Sequence, residues 1–214
     1  MEIEYFGANC FRVKTKDASI VFDDNLDAVG AKTITKDADA LFYTQKMLVS
    51  DAASKKARLV VDSAGEFEVG DVSVQGVQTR AHTDEDDAMT AAAYQCMYQG
   101  KTITILGHVH PDLTDEIVEV AGGTDVLILP VGGNGYTLDA VGAASVVKKI
   151  EPEVVIASQF EAKGFSFEVP AAPLEEFVKT SALTAADAVD VYKIDKPNAD
   201  LATQTHIVQL SIKK

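Results

Sequence analysis

The sequence predicts a layered α/β sandwich. Short alternating strand segments crowd the first hundred residues, and helices alternate with apolar strands after residue 113. No internal repeat, linker or low-complexity stretch interrupts this order, so residues 1–214 are expected to form one domain. An apolar fraction of 47% is enough for a substantial core.

The elements follow from local pattern. Ile3–Phe6, Cys10–Lys14 and Ser19–Phe22 are short strands separated by Gly7-Ala8-Asn9 and by Lys16-Asp17, which predicts a meander. Asp39–Tyr43 and Arg58–Val61 are two further strand candidates. Glu66–Val69 and Val72–Val77 flank a Gly70-Asp71 turn and form an expected hairpin. Met89–Tyr98 is ambiguous: Ala91-Ala92-Ala93 favours helix, whereas Gln99-Gly100 followed by Thr102–Leu106 favours a second hairpin. Leu113-Thr114-Asp115-Glu116 opens a helix that Gly122-Gly123 closes. Asp125–Pro130 is a buried strand. Thr137 is the expected N-cap of a helix that runs to Ile150. Val154–Ala157 is another strand, Pro173 starts a helix, and Val189–Lys193 and Thr205–Ile212 alternate as strands.

Charge excludes several functions. Nineteen basic against 33 acidic residues give a net charge of −14. Such a surface repels phosphate backbones and anionic membranes, and Lys55-Lys56 and Lys148-Lys149 are the only internal basic pairs. Neither nucleic acid nor membrane is expected as a partner. No apolar run approaches the ~20 residues of a membrane helix, and Met1-Glu2-Ile3-Glu4 does not begin a signal peptide. Cys10 and Cys96 are read as reduced, buried thiols. A cytoplasmic location is expected.

Several segments together resemble a known family. Gly65-Glu66-Phe67-Glu68-Val69 with Val74-Gln75-Gly76-Val77, Leu113–Glu116, Asp125–Gly133 and Tyr136-Thr137-Leu138 are similar, in order and spacing, to motifs of the UlaG-like branch of the metallo-β-lactamase superfamily. Gly7–Arg12 is similar to the start of that branch. The resemblance runs from residue 1 to about Phe177. It implies an αββα four-layer sandwich with a metal site at the edge between two sheets.

The same resemblance implies a site whose ligands have changed. Where the family carries Thr-His-x-His-x-Asp-His, this chain reads Thr44-Gln45-Lys46-Met47-Leu48-Val49-Ser50. Gln45 and Met47 replace two histidines, Val49 the aspartate and Ser50 the third histidine. His108 stands where a metal-bridging aspartate is expected, and Gln159 where a histidine is expected. His82 alone keeps its type. Valine offers no donor, and thioethers and amides are poor zinc ligands.

Other constellations have plainer readings. His82 with Asp84–Asp87 is either a cation site or a solvated acidic loop. His108 and His110 are either a small metal site with His82 or hydrogen-bonded loop histidines. Asp23-Asp24 shapes the loop near the site, and the glycine loop Gly132–Gly135 lacks the lysine of a phosphate loop. No G-x-S-x-G nucleophile elbow is present.

Two functions follow. The first is a non-catalytic, metal-free member whose former active-site pocket, lined by Gln45, Met47, Val49, Ser50, His82, His108 and Gln159, binds a small molecule or a partner protein, with a homo-oligomer as one form. The alternative is a hydrolase with one zinc or manganese ion held by His82, His108 and a carboxylate such as Asp84 or Asp24.

Overall fold

The computed structural model describes residues 1–194 and 204–213, so residues 195–203 and 214 of the expected domain lie outside it. Strands β1 (Glu2–Gly7), β2 (Cys10–Lys14) and β3 (Ser19–Phe22) form the expected antiparallel meander. β4 (Ala40–Phe42) and β5 (Leu59–Val61) extend it in parallel, with helix α1 (Asp51–Ser54) between them.

The second sheet begins with β6 (Gly65–Val69) and β7 (Val72–Thr79), the expected hairpin. β8 (Ala91–Tyr98) and β9 (Lys101–Ile105) follow, then α2 (Asp115–Ala121), β10 (Val126–Pro130), α3 (Ala140–Ile150), β11 (Val154–Ser158) and α4 (Leu174–Ser181). Two short strands close the chain: β12 (Tyr192–Lys193) pairs with β1, and β13 (His206–Ile207) pairs with β11. The strand orders are β12-β1-β2-β3-β4-β5 and β13-β11-β10-β9-β8-β7-β6.

Alternation along the strands divides the apolar residues into layers. Tyr5, Phe11, Phe22 and Phe42 of the first sheet meet Val74, Tyr94, Ile105 and Ile128 of the second to fill the space between them. Leu127, Leu129 and Val155 face outward onto Ile117, Val146 and Phe177 of the helices. On the outer side of the first sheet, Phe6, Val21 and Leu41 pack on Leu48 and Ala53. The result is the αββα sandwich that the sequence predicted.

Two local expectations needed the tertiary structure. Ala91–Tyr98 is strand, because it lies centrally in the second sheet with both faces covered. Ala92, Tyr94 and Cys96 enter the inter-sheet core and Ala93 faces the helical side, so burial overrides the helical preference of three alanines. Gln99 and Gly100 both take positive φ (51° and 75°), as a tight two-residue hairpin turn requires.

The N-cap of α3 is Asp139, not Thr137. Leu138 O accepts a hydrogen bond from Gly133 N, which ties residue 138 back into the glycine loop. Asp139 is the first residue free to cap, and its Oδ1 accepts from Gly142 N at 2.7 Å. Leu113–Glu116 opens α2 as expected; Thr114 is its N-cap, with Asp115 and Glu116 favourably placed in the first turn.

Candidate ligand pocket at the strand ends

Four strand ends and their loops converge where β3, β4, β9 and β11 finish, and a buried polar chain fixes them to one another. Asp23, fully buried and in the left-handed region (φ 46°), is its centre. Its Oδ1 accepts from Thr44 N at 2.7 Å, and its Oδ2 accepts from Thr44 Oγ1 and Asn9 Nδ2, both at 2.6 Å. Asn9 Oδ1 in turn accepts from Ser158 Oγ at 2.5 Å. Residues from both sheets are thereby joined. Burial pushes the Asp23 carboxyl up to about 6, against the lowering effect of the Thr44 and Asn9 hydrogen bonds.

Close approach completes the junction. A Cβ on Gly107 would lie 1.9 Å from Thr44 Oγ1, and one on Gly132 would lie 2.0 Å from Gln159 O. Glycine at 107 lets the two sheets meet, and glycine at 132 lets the loops after β10 and β11 of the second sheet approach each other.

The seven residues that the sequence grouped have different surroundings in the structure. Gln45 is buried, and its Nε2 donates to Thr90 Oγ1 at 3.2 Å. Met47 and Val49 expose their side chains, at 63% and 40%. Ser50 is the N-cap of α1: its Oγ accepts from Ala53 N and donates to Asp27 Oδ2 at 2.9 Å, and its own N–H donates to Tyr43 Oη. His82 is partly buried, with its ring centroid 6.1 Å from that of His110 and its N–H donating to His108 O at 2.6 Å. Burial and the neighbouring His110 ring lower its pKa.

His108 and Gln159 remain together. They line a cavity of about 100 Å³ with Ala8, Asn25, Tyr136 and Glu168. The His108 ring meets Tyr136 edge-on at 4.9 Å, and neither ring nitrogen has a hydrogen-bond partner although the residue is only 4% exposed. Burial, with His82 nearby, brings its pKa down to about 4, so the imidazole is neutral at physiological pH. A neutral imidazole offers one donor and one acceptor. Sequence reasoning did not single out Asn9, Thr44, Ser158 and Tyr136 as members of this locus. Asn9, Thr44 and Tyr136 lay within the segments that carry the resemblance, but only their partners reveal what they do.

The donors present do not fit the zinc centre that the resemblance implies. The Asp23 oxygens are committed to three hydrogen bonds. Asp24 Oδ2 accepts from Ile34 N, Thr35 N and Thr35 Oγ1, which leaves only its buried Oδ1 without a partner. Asp84 closes its own loop, accepting from Ala81 N, Thr90 N and Thr90 Oγ1. Among the described residues no three His, Cys, Asp or Glu side chains gather to hold a metal ion. A catalytic zinc needs three protein ligands, and His82 and His108 supply two.

Comparison with known proteins agrees with the fold. Residues 2–159 match the model of the beta-lactamase superfamily domain. A candidate zinc-dependent hydrolase of the metallo-beta-lactamase superfamily from Thermotoga maritima superposes with a TM-score of 0.72 at 21% identity, covering 98% of each chain. Igni18, a metallo hydrolase from Ignicoccus hospitalis, gives 0.62 at 17% identity over 97% of this chain and 94% of its own. The isothiocyanate hydrolase from Delia radicum gut bacteria gives 0.62 at 12% identity over 97% and 96%. No curated protein is detectably similar in sequence. No helix among the described residues is long and apolar enough to cross a membrane.

Proposed function

The chain belongs to the beta-lactamase superfamily domain family, and from that premise we propose that it is a non-catalytic, metal-free member whose strand-end pocket binds a small polar molecule. One observation carries the reading: His108 is a neutral, buried imidazole whose two nitrogens are unpartnered beside a cavity of about 100 Å³, at the position where the resemblance implies an anionic bridging ligand. An unpaired buried polar atom costs ~1–3 kcal/mol, so the site gains when a ligand supplies the missing donor and acceptor. The volume limits that ligand to a few non-hydrogen atoms. The motif series supports placement in the UlaG-like branch and one domain over 1–214. The two free, buried cysteines support a cytoplasmic location.

The competing reading is a hydrolase with one metal ion on His82 and His108. Family membership and the hydrolase names of the similar structures favour it. It requires Asp84 to leave three hydrogen bonds or Asp24 to turn its unpartnered Oδ1 to the ion, and among the described residues neither carboxylate gathers with the two histidines into a set of three. Metal analysis of protein purified without chelator, with a bis(p-nitrophenyl) phosphate hydrolysis assay, separates the two. The proposal expects substoichiometric metal and no turnover with added zinc or manganese. Stoichiometric metal supporting hydrolysis, with both lost in His108→Phe, would establish the hydrolase instead.

A further inference from the structure

We propose that the outer side of the first sheet carries a second binding site, for an amphipathic anion: a carboxylate on an apolar tail. The site is independent of the strand-end pocket and of the function proposed for it. It is a cavity of about 440 Å³, within the ~300–1,000 Å³ typical of small-molecule sites. Its walls are Phe6, Leu26, Ile34, Phe165 and Ile212. Phe165 is firmly seated, because its ring occupies the space where a Cβ on Gly7 would be, 2.1 Å from that position. Phe165 also stacks on Phe167, which lines the smaller pocket, so the aromatic pair separates the two cavities. The Arg12 guanidinium lies 5.3 Å from the Phe6 ring centroid.

The charge at this cavity runs against that of the chain. The protein has 33 acidic and 19 basic residues, yet the cavity is lined by Lys32, Lys163 and Lys213 and, among the described residues, by no carboxylate. Lys213 is committed to Glu4 at 2.5 Å. Lys32 and Lys163 are exposed and form no ion pair among the described residues. Two uncommitted ammonium groups thus border an apolar cavity, and their alkyl stems prolong its walls.

This arrangement selects by chemistry. A cation is repelled. A polyanion such as a nucleotide finds little to hydrogen-bond inside, since among the described residues Thr33 supplies the one side-chain hydroxyl of an otherwise apolar wall below the lysines. A single anionic head at the lysines with its tail among the aromatic and aliphatic side chains satisfies both parts.

The test is calorimetric titration of the full chain with decanoate, decanol and acetate as probes. Decanoate is expected to bind at one site, decanol more weakly, and acetate not measurably. The exposed double variant Lys32→Gln/Lys163→Gln should weaken decanoate about tenfold and leave decanol unchanged. Ala31→Phe, which fills the cavity, should abolish binding of both. His108→Phe should alter neither, which keeps this site distinct from the strand-end pocket. The proposal is overturned if decanoate shows no saturable site. Equal affinity for decanol, or a double variant that binds like the parent, overturns the anion assignment. Undiminished binding to folded Ala31→Phe places the site elsewhere.

Discussion

Replacing His108 with phenylalanine tests the metal-free reading through stability, and the sign of the effect distinguishes the alternatives. The phenyl ring keeps the edge contact with Tyr136, and the adjoining cavity of about 100 Å³ takes up the change in shape. Near pH 7.5 the imidazole is neutral in both folded and unfolded chains. The variant then simply removes two buried nitrogens that have no partners, and it should be as stable as the parent or more stable by ~1–2 kcal/mol. At lower pH the parent falls behind. The unfolded histidine takes up a proton below about 6.5, whereas the folded one resists until about 4. Its contribution is therefore fully present above pH 6.5 and is lost as the pH falls toward 4. At pH 5 the loss is ~2 kcal/mol, and the advantage of the variant should widen by that amount. Urea unfolding of both proteins at pH 7.5 and pH 5.0, with EDTA present and absent, measures it. If His108 instead holds a catalytic ion, the variant loses the metal and is destabilised at pH 7.5. That outcome, or a stability gap that does not change with pH, would refute the reasoning.

Asp23→Asn should show the opposite pH dependence. The folded carboxyl titrates at about 6 against an ordinary 3.8, so its contribution is full below pH 3.8 and is lost as the pH rises through 6; relative to the variant, the parent should lose ~2–3 kcal/mol between pH 4 and pH 7 in urea titrations. Gly107→Ala forces a Cβ to within 1.9 Å of Thr44 Oγ1 and should lower stability by ~1–3 kcal/mol, read as a reduced urea midpoint. Ser50→Ala removes the cap of α1 and the bond to Asp27, and should cost ~1 kcal/mol in the same assay. Chelation should leave Tm unchanged in a thermal scan, because the locus holds few ionised ligands whose repulsion an ion would relieve; a fall of several degrees on adding EDTA would count against a metal-free scaffold.

The layered fold was legible in the sequence because its signals are local. Period-two alternation in Cys10–Lys14 and Val72–Val77, the Thr114 cap with its acidic first turn, and the continuous apolar run of Val126–Pro130 each specify an element without reference to the rest of the chain. The motif series added the order in which the elements stack. Where a local signal competed with burial, as in Ala91–Tyr98, or where a loop carbonyl was already engaged, as at Leu138, only packing decided the outcome. That Gln45, Met47, Val49 and Ser50 are poor zinc ligands was also legible in one dimension, since residue type determines what can ligate. What those residues do instead was not. That Ser50 caps a helix, that Gln45 turns to Thr90, that Asp23 spends its carboxylate on Thr44 and Asn9, that Asn9 in turn holds Ser158, and that His108 is left buried without a partner are facts about neighbours up to 149 residues distant along the chain. Hydrogen-bond satisfaction and desolvation depend on which groups lie within about 3 Å in space, and that proximity exists only once the two sheets have closed on each other.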